Sequence, residues 1–172
     1  MEQLLMMRDD SDVGAITFPE GYYMRPYQPG DGSDWCECCL EGSLGIDEIT
    51  EDVFKQKMLD DETVKPENIY FLVSPLGEIA GTITYRNLEK GTGTIHMVGI
   101  KKEYQGRGLA LPMNLYAVQK ILEDGNTKVN LTTDDWRLPA IKSYLNAGFE
   151  PVYHYPDMAD RWRRVMGQLG KY

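Results

Sequence analysis

The chain has 172 residues, of which 42% are hydrophobic and 26% charged, the composition of one ordinary globular domain. Acidic residues outnumber basic ones 27 to 18, giving a formal net charge of −9. Such a surface repels phosphate backbones and anionic bilayers, so nucleic acid and membrane are set aside as partners.

A chain of this size buries about 70% of its unfolded surface, so its fold needs no covalent or metal staple. All three cysteines fall in Trp35-Cys36-Glu37-Cys38-Cys39, and the only histidines are His96 and His154. That pattern is neither a disulfide framework nor a zinc set, and it reads as buried or semi-exposed thiols on a helix with no metal. No apolar run approaches the length of a membrane span, and the first residues lack a signal peptide's basic start and apolar core. A cytoplasmic protein is expected.

Residues 1–18 read as a polar N-terminal arm with one apolar patch, Leu4 to Met7, and the domain is expected over 19–172. Tyr22 to Tyr27 reads as a first strand. A Pro-Gly-Asp-Gly loop then leads to a helix capped by Ser33 or Asp34 and begun by Trp35 to Leu40. Gly42 to Gly45 ends or interrupts it, and Thr50 opens a second helix reaching about Asp61. Asn68–Ser74 and Ile79–Asn87 flank a Pro-Leu-Gly-Glu turn and form a hairpin, and Thr94–Ile100 follows as the next strand. Residues 109–124 make a helix apolar on two sides, packed between layers, with Gly125 as its C-cap and a bend expected at Pro112. Lys128–Thr132 is a strand. Ile141, Tyr144 and Leu145 stripe a short helix ended by Gly148, and Phe149–His154 is a last strand. Residues 157–169 place Trp162, Val165, Met166 and Leu169 at helical spacing, with Arg161, Arg163 and Arg164 on a solvated face. The order predicts an α/β (α+β) domain with a mixed sheet.

The functional centre lies where the Thr94–Ile100 strand turns through Lys101–Tyr104 into Gln105-Gly106-Arg107-Gly108-Leu109-Ala110. A strand feeding a glycine-containing helix start presents bare amides at a positive dipole end, which suits a phosphate. Arg107 can add a full charge. The stretch is neither a P-loop nor a dinucleotide fingerprint, since Leu111 stands where the latter needs a third glycine.

Gln105-x-x-Gly108-x-Ala110 resembles the acyl-CoA signature of the Gcn5-related N-acetyltransferases (GNAT), Arg/Gln-x-x-Gly-x-Gly/Ala. A second stretch, Arg137-x-x-Ala140-x-x-x-Tyr144-x-x-x-Gly148-Phe149, resembles that family's Asn-x-x-Ala-x-x-x-Tyr-x-x-x-Gly-Phe, with Arg137 in place of Asn. The likeness runs from about residue 22 to residue 153. It implies a mostly antiparallel mixed sheet flanked by helices, and acetyl-CoA as co-substrate. The 105–110 turn, covering Gln105, Gly106, Arg107, Gly108, Leu109 and Ala110, would hold the diphosphate. Val98, Gly99 and Ile100 would pair with the pantetheine, and Asn130 to Thr132 would form the other side. The family usually ends in another strand of the sheet, so a terminal helix here departs from it.

Transfer to an amine also needs a proton for the leaving thiolate and a neutral amine. By its place in the second motif Tyr144 is the candidate acid. A lysine-like amine is neutral at pH 7 only about once in 2,500, a cost of about 4.6 kcal/mol. His96 is a candidate base, as are Glu48, Glu51 and Asp135. The resulting reading is acetyl transfer from acetyl-CoA to a small-molecule or peptide amine, directly and without a covalent enzyme intermediate, by a monomer or homodimer. A non-catalytic CoA-binding sensor and an interaction module on the same fold stay open beside it.

Overall fold

The computed structural model describes residues 2–40 and 50–170. Seven strands form one sheet: β1 (Leu4–Asp9), β2 (Tyr23–Pro26), β3 (Ile69–Val73), β4 (Ile79–Asn87), β5 (Thr92–Ile100), β6 (Lys128–Thr133) and β7 (Glu150–Pro151). Their order is β2-β3-β4-β5-β6-β1-β7. Every pairing is antiparallel except β5 with β6. The expected mixed, mostly antiparallel sheet is therefore what forms.

Helices cover the sheet on both faces. On one side α1 (Gly32–Cys39) and α2 (Glu51–Phe54, continued by a π-helical turn, Lys55–Leu59) bury Trp35, Phe54 and Met58 against Phe71, Ile79 and Met97. On the other, α3 (Ala110–Glu123), α4 (Leu138–Asn146) and α5 (Met158–Gln168) share a core with Leu4, Met6, Ile83, Ile95, Val129 and Leu131. Both faces of α3 reach that core, as its two apolar sides require. Pro112 lies within the helix's first turn, where its missing N–H has no intrahelical acceptor to lose. The three cysteines are buried free thiols, and burial pushes Cys38 up to about 12, so they are inert packing.

Two expectations need correction. The segment read as an N-terminal arm carries β1, which lies inside the sheet between β6 and β7. Its alternation buries Leu4, Met6 and Arg8, and Arg8 Nη2 donates to the carbonyls of Ser11 at 2.6 Å and Asp12 at 3.2 Å. A run of four apolar residues hid a two-residue period. The arginines of α5 are also not all solvated. Arg161 is 3% exposed and grips Asp135 with two nitrogens, while Arg163 pairs at the surface with Asp160. The Gly42–Gly45 stop lies outside the described residues.

Candidate active site

The site begins as a defect in the sheet. Thr84 pairs with Met97 but Tyr85 pairs with Ile95, which leaves His96 as the extra residue of a β-bulge. The bulge resets the alternation. Ile95, Val98 and Ile100 all pack toward α3, whereas Met97 joins the α1 core. On its other edge β5 pairs with β6 only from Thr92 to Thr94, and Thr94 Oγ1 donates to the Asn130 carbonyl at 3.2 Å. Past that vertex the strands part. A cavity of about 320 Å³ opens between them, lined by His96 and Val98 from β5, Thr132 from β6, Asp134 just after it, and Tyr144 from α4.

The turn after β5 supplies the second half. Gly106 and Gly108 have φ of +74° and +75°, a region that favours glycine, and nothing crowds a Cβ at either position. Among the described residues the amides of Gly106, Arg107, Gly108 and Leu109 find no acceptor. They cluster where the α3 dipole is positive, on residues that are exposed except for Leu109, an arrangement that suits an anion. Gln105 braces the bend instead of reaching outward, its Nε2 donating to the Ile100 carbonyl at 3.1 Å. Arg107 lies over the Tyr104 ring at 5.0 Å and donates to the Glu103 carbonyl at 2.8 Å. Leu109 is buried as the hydrophobic anchor of the helix start.

Tyr144 is fixed by how α4 ends. Phe149 N donates to the Tyr144 carbonyl at 3.0 Å and Gly148 N to that of Leu145 at 3.1 Å, a Schellman close that φ +85° at Gly148 permits. Phe149 then packs edge-on against the Tyr144 ring, with centroids 6.2 Å apart. The ring is 8% exposed, and burial pushes its phenol up to about 12. Its hydroxyl has no hydrogen-bond partner among the described residues. His96 is shifted the opposite way. Burial, with Arg86 nearby, pulls its imidazole down to about 4, against the weaker pull of Asp61. It is neutral at pH 7.

The other candidate bases stand apart. Asp135 is committed to Arg161, which holds its carboxyl below the usual range. Glu51 sits exposed on α2 and does not line the cavity, and Glu48 lies outside the described residues. Sequence reasoning missed Gln3, Arg86 and Asp134, which line the opening together with Arg137. Arg137 Nε lies 3.1 Å from Asp134, and Gln3 Nε2 donates to Asp134 at 3.1 Å. The departure from Asn at position 137 was the one visible signal.

The acetyltransferase (GNAT) family model matches residues 33–149, which spans the bulged strand, the glycine turn and the Tyr144 helix. The chain belongs to the GNAT family. Among solved structures it is similar to a GCN5-related N-acetyltransferase from Sphaerobacter thermophilus, with a TM-score of 0.68 and 24% identity over 88% of this chain and 50% of that one. It also resembles the NatC complex bound to Gag peptide and CoA, at a TM-score of 0.60 and 18% identity over 80% of this chain and 92% of that one. These likenesses establish the GNAT fold. Among curated proteins it is similar to mycothiol acetyltransferases. That of Thermomonospora curvata is 26% identical over 85% of this chain and 51% of its own length. That of Pseudarthrobacter chlorophenolicus is 23% identical over 86% and 48%. The chain spans about half the length of these relatives. No helix among the described residues is long and apolar enough to cross a membrane, and no group of three or more His, Cys, Asp or Glu there could hold a metal ion.

Proposed function

We propose that this GNAT chain moves an acetyl group from acetyl-CoA to a primary amine by direct attack. The observation that carries the reading is a single strand, β5, that both parts from β6 and runs into the amide-rich turn. The turn from Gly106 to Ala110 would hold the diphosphate, with the Arg107 guanidinium beside it. The β5 edge at Val98, Gly99 and Ile100 would meet the pantetheine, with Asn130 at the vertex. When bound, acetyl-CoA supplies the activated thioester, and the protein's task is to orient it and to stabilise departing charge.

The shifted groups fit a division of labour. A coenzyme thiol resembles a cysteine, with pKa about 8.5, so full proton transfer from a phenol near 12 is uphill by roughly 5 kcal/mol. Tyr144 therefore acts as a hydrogen-bond donor to the leaving sulfur, and the proton follows from water. An imidazole near 4 is too weak to strip a lysine-like ammonium. His96 is suited to accept a hydrogen bond from an amine that arrives neutral. Lys57 and Asp61, from the α2 segment and the residues after it, neighbour His96, so the acceptor would approach from the face opposite α3. The free buried thiols suit a reducing, cytoplasmic setting. Calorimetry with acetyl-CoA and thiol release with an amine panel test the proposal. No binding at millimolar ligand would end it, and binding without thiol release would leave a CoA sensor.

A further inference from the structure

We propose that a polar hollow beside the opening holds the body of the amine acceptor, and that the chain's first strand is the wall that selects it; this rests on the acetyltransferase reading. The hollow measures about 330 Å³ and is lined by Glu2, Gln3, Leu5, Thr132 and His154. Gln3 and Thr132 also line the cavity that contains Val98 and Tyr144. The two spaces are neighbours, so one molecule can place its amine in the cavity beside Tyr144 and its body in the hollow.

The faces are consistent. Leu5 pairs with Thr132 across β1 and β6, while Leu4, Met6 and Leu131 bury on the α3 side. Alternation puts Leu5 and Thr132 on the opposite face, the one covered by α2, whose continuation carries Lys57 near His96. The amide cradle belongs to the start of α3. Acceptor and cofactor thus approach from opposite sides of the sheet and meet at the gap.

The wall is set before any ligand arrives. Arg161 Nη1 donates to the Glu2 carbonyl at 2.8 Å, and the same guanidinium grips Asp135. Gln3 Nε2 is tied to Asp134, and Val152 N donates to the Leu5 carbonyl at 3.0 Å. Its chemistry is a carboxylate, an amide, a hydroxyl and an imidazole, with Leu5 the one aliphatic group. That set fits a hydroxyl- or amide-bearing body without negative charge. A carboxylate or phosphate in the hollow itself would meet Glu2 and a net charge of −9, since Arg86 and the Arg137–Asp134 pair line the neighbouring cavity and not the hollow. The volume is at the small end of ligand pockets.

The test compares D-glucosamine, n-butylamine and L-aspartate as acceptors, following thiol release, with acetyl-CoA affinity measured by calorimetry in parallel. The wild type should use glucosamine at least roughly tenfold better, by kcat/KM, than either other amine. Leu5→Trp fills the hollow without touching the cavity that holds Tyr144, and tryptophan suits a strand. It should raise the KM for glucosamine and collapse the preference over butylamine, with acetyl-CoA affinity unchanged. His154→Trp fills the hollow from the β7 side and should do the same if Leu5→Trp fails to fold. Equal use of the three amines, an unchanged preference in the folded variant, or no thiol release with glucosamine would overturn the proposal. Failure to bind acetyl-CoA would instead overturn the acetyltransferase reading beneath it.

Discussion

Replacing Tyr144 with phenylalanine separates a hydrogen-bond donor from a titrating acid. The ring is held by Phe149 and the Gly148 turn, and both contacts survive loss of the hydroxyl. Since that hydroxyl has no partner among the described residues, stability should change by less than about 1 kcal/mol. A hydrogen bond to a thiolate contributes roughly 1.5–3 kcal/mol, so kcat should fall roughly 10- to 150-fold. Acetyl-CoA affinity should not move, because the cradle at Gly106–Ala110 is built without Tyr144. The pH profile is the sharper readout. A phenol held near 12 stays protonated throughout the accessible range, so the wild-type alkaline limb should persist unchanged in the variant. Stopped steady-state assays from pH 6 to 10 with thiol detection measure both quantities. An unchanged kcat would remove Tyr144 from the mechanism. A wild-type limb near pH 9 that vanishes in the variant would show that the phenol titrates and is not merely a hydrogen-bond donor.

Gly108→Ala should lower Tm and weaken acetyl-CoA binding, because φ +75° costs an L-residue about 1–2 kcal/mol although its Cβ meets nothing; Gly167→Ala, in open space on α5, is the control that should hold or gain stability. Arg161→Met strands Asp135 and the Glu2 carbonyl. Removing one member of a buried pair costs about 3–5 kcal/mol, and partial exposure of Asp135 trims this to roughly 2–3 kcal/mol in urea denaturation. His96 binds its proton near pH 4 when folded and near 6.5 when unfolded, so the unfolded chain holds more protons in between. Stability should therefore be full above pH 6.5 and fall by roughly 3 kcal/mol as pH drops to 4, with His96→Asn flattening that slope. Imidazole NMR shifts that titrate near 6.5 in the folded protein would contradict this.

The β5–α3 corner and the Tyr144 helix were legible because each carries local punctuation: glycines at fixed offsets, a capped turn, a two-fold or helical period. What escaped was long-range. Nothing within Leu4–Asp9 says that it enters the sheet between β6 and β7, because the pairing partners lie more than a hundred residues away. Reading it as an arm also hid Gln3, whose place beside the cavity follows only from that pairing. Arg161 looked like a member of a basic surface triplet, and only tertiary contact with Asp135 makes it a buried clasp. The bulge at His96 is equally silent in sequence, since a strand with one extra residue still alternates acceptably on either side of it. The lining of the cavity and its neighbouring hollow was the least legible part, because residues from β1, β4, β5, β6 and α4 assemble it together.

The most direct test is a crystal structure with CoA bound. The diphosphate is expected on the amides of Gly106 to Ala110, the pantetheine along Val98 to Ile100, and the sulfur within hydrogen-bonding reach of the Tyr144 hydroxyl. A diphosphate seated away from that turn, or a sulfur remote from Tyr144, would contradict that placement.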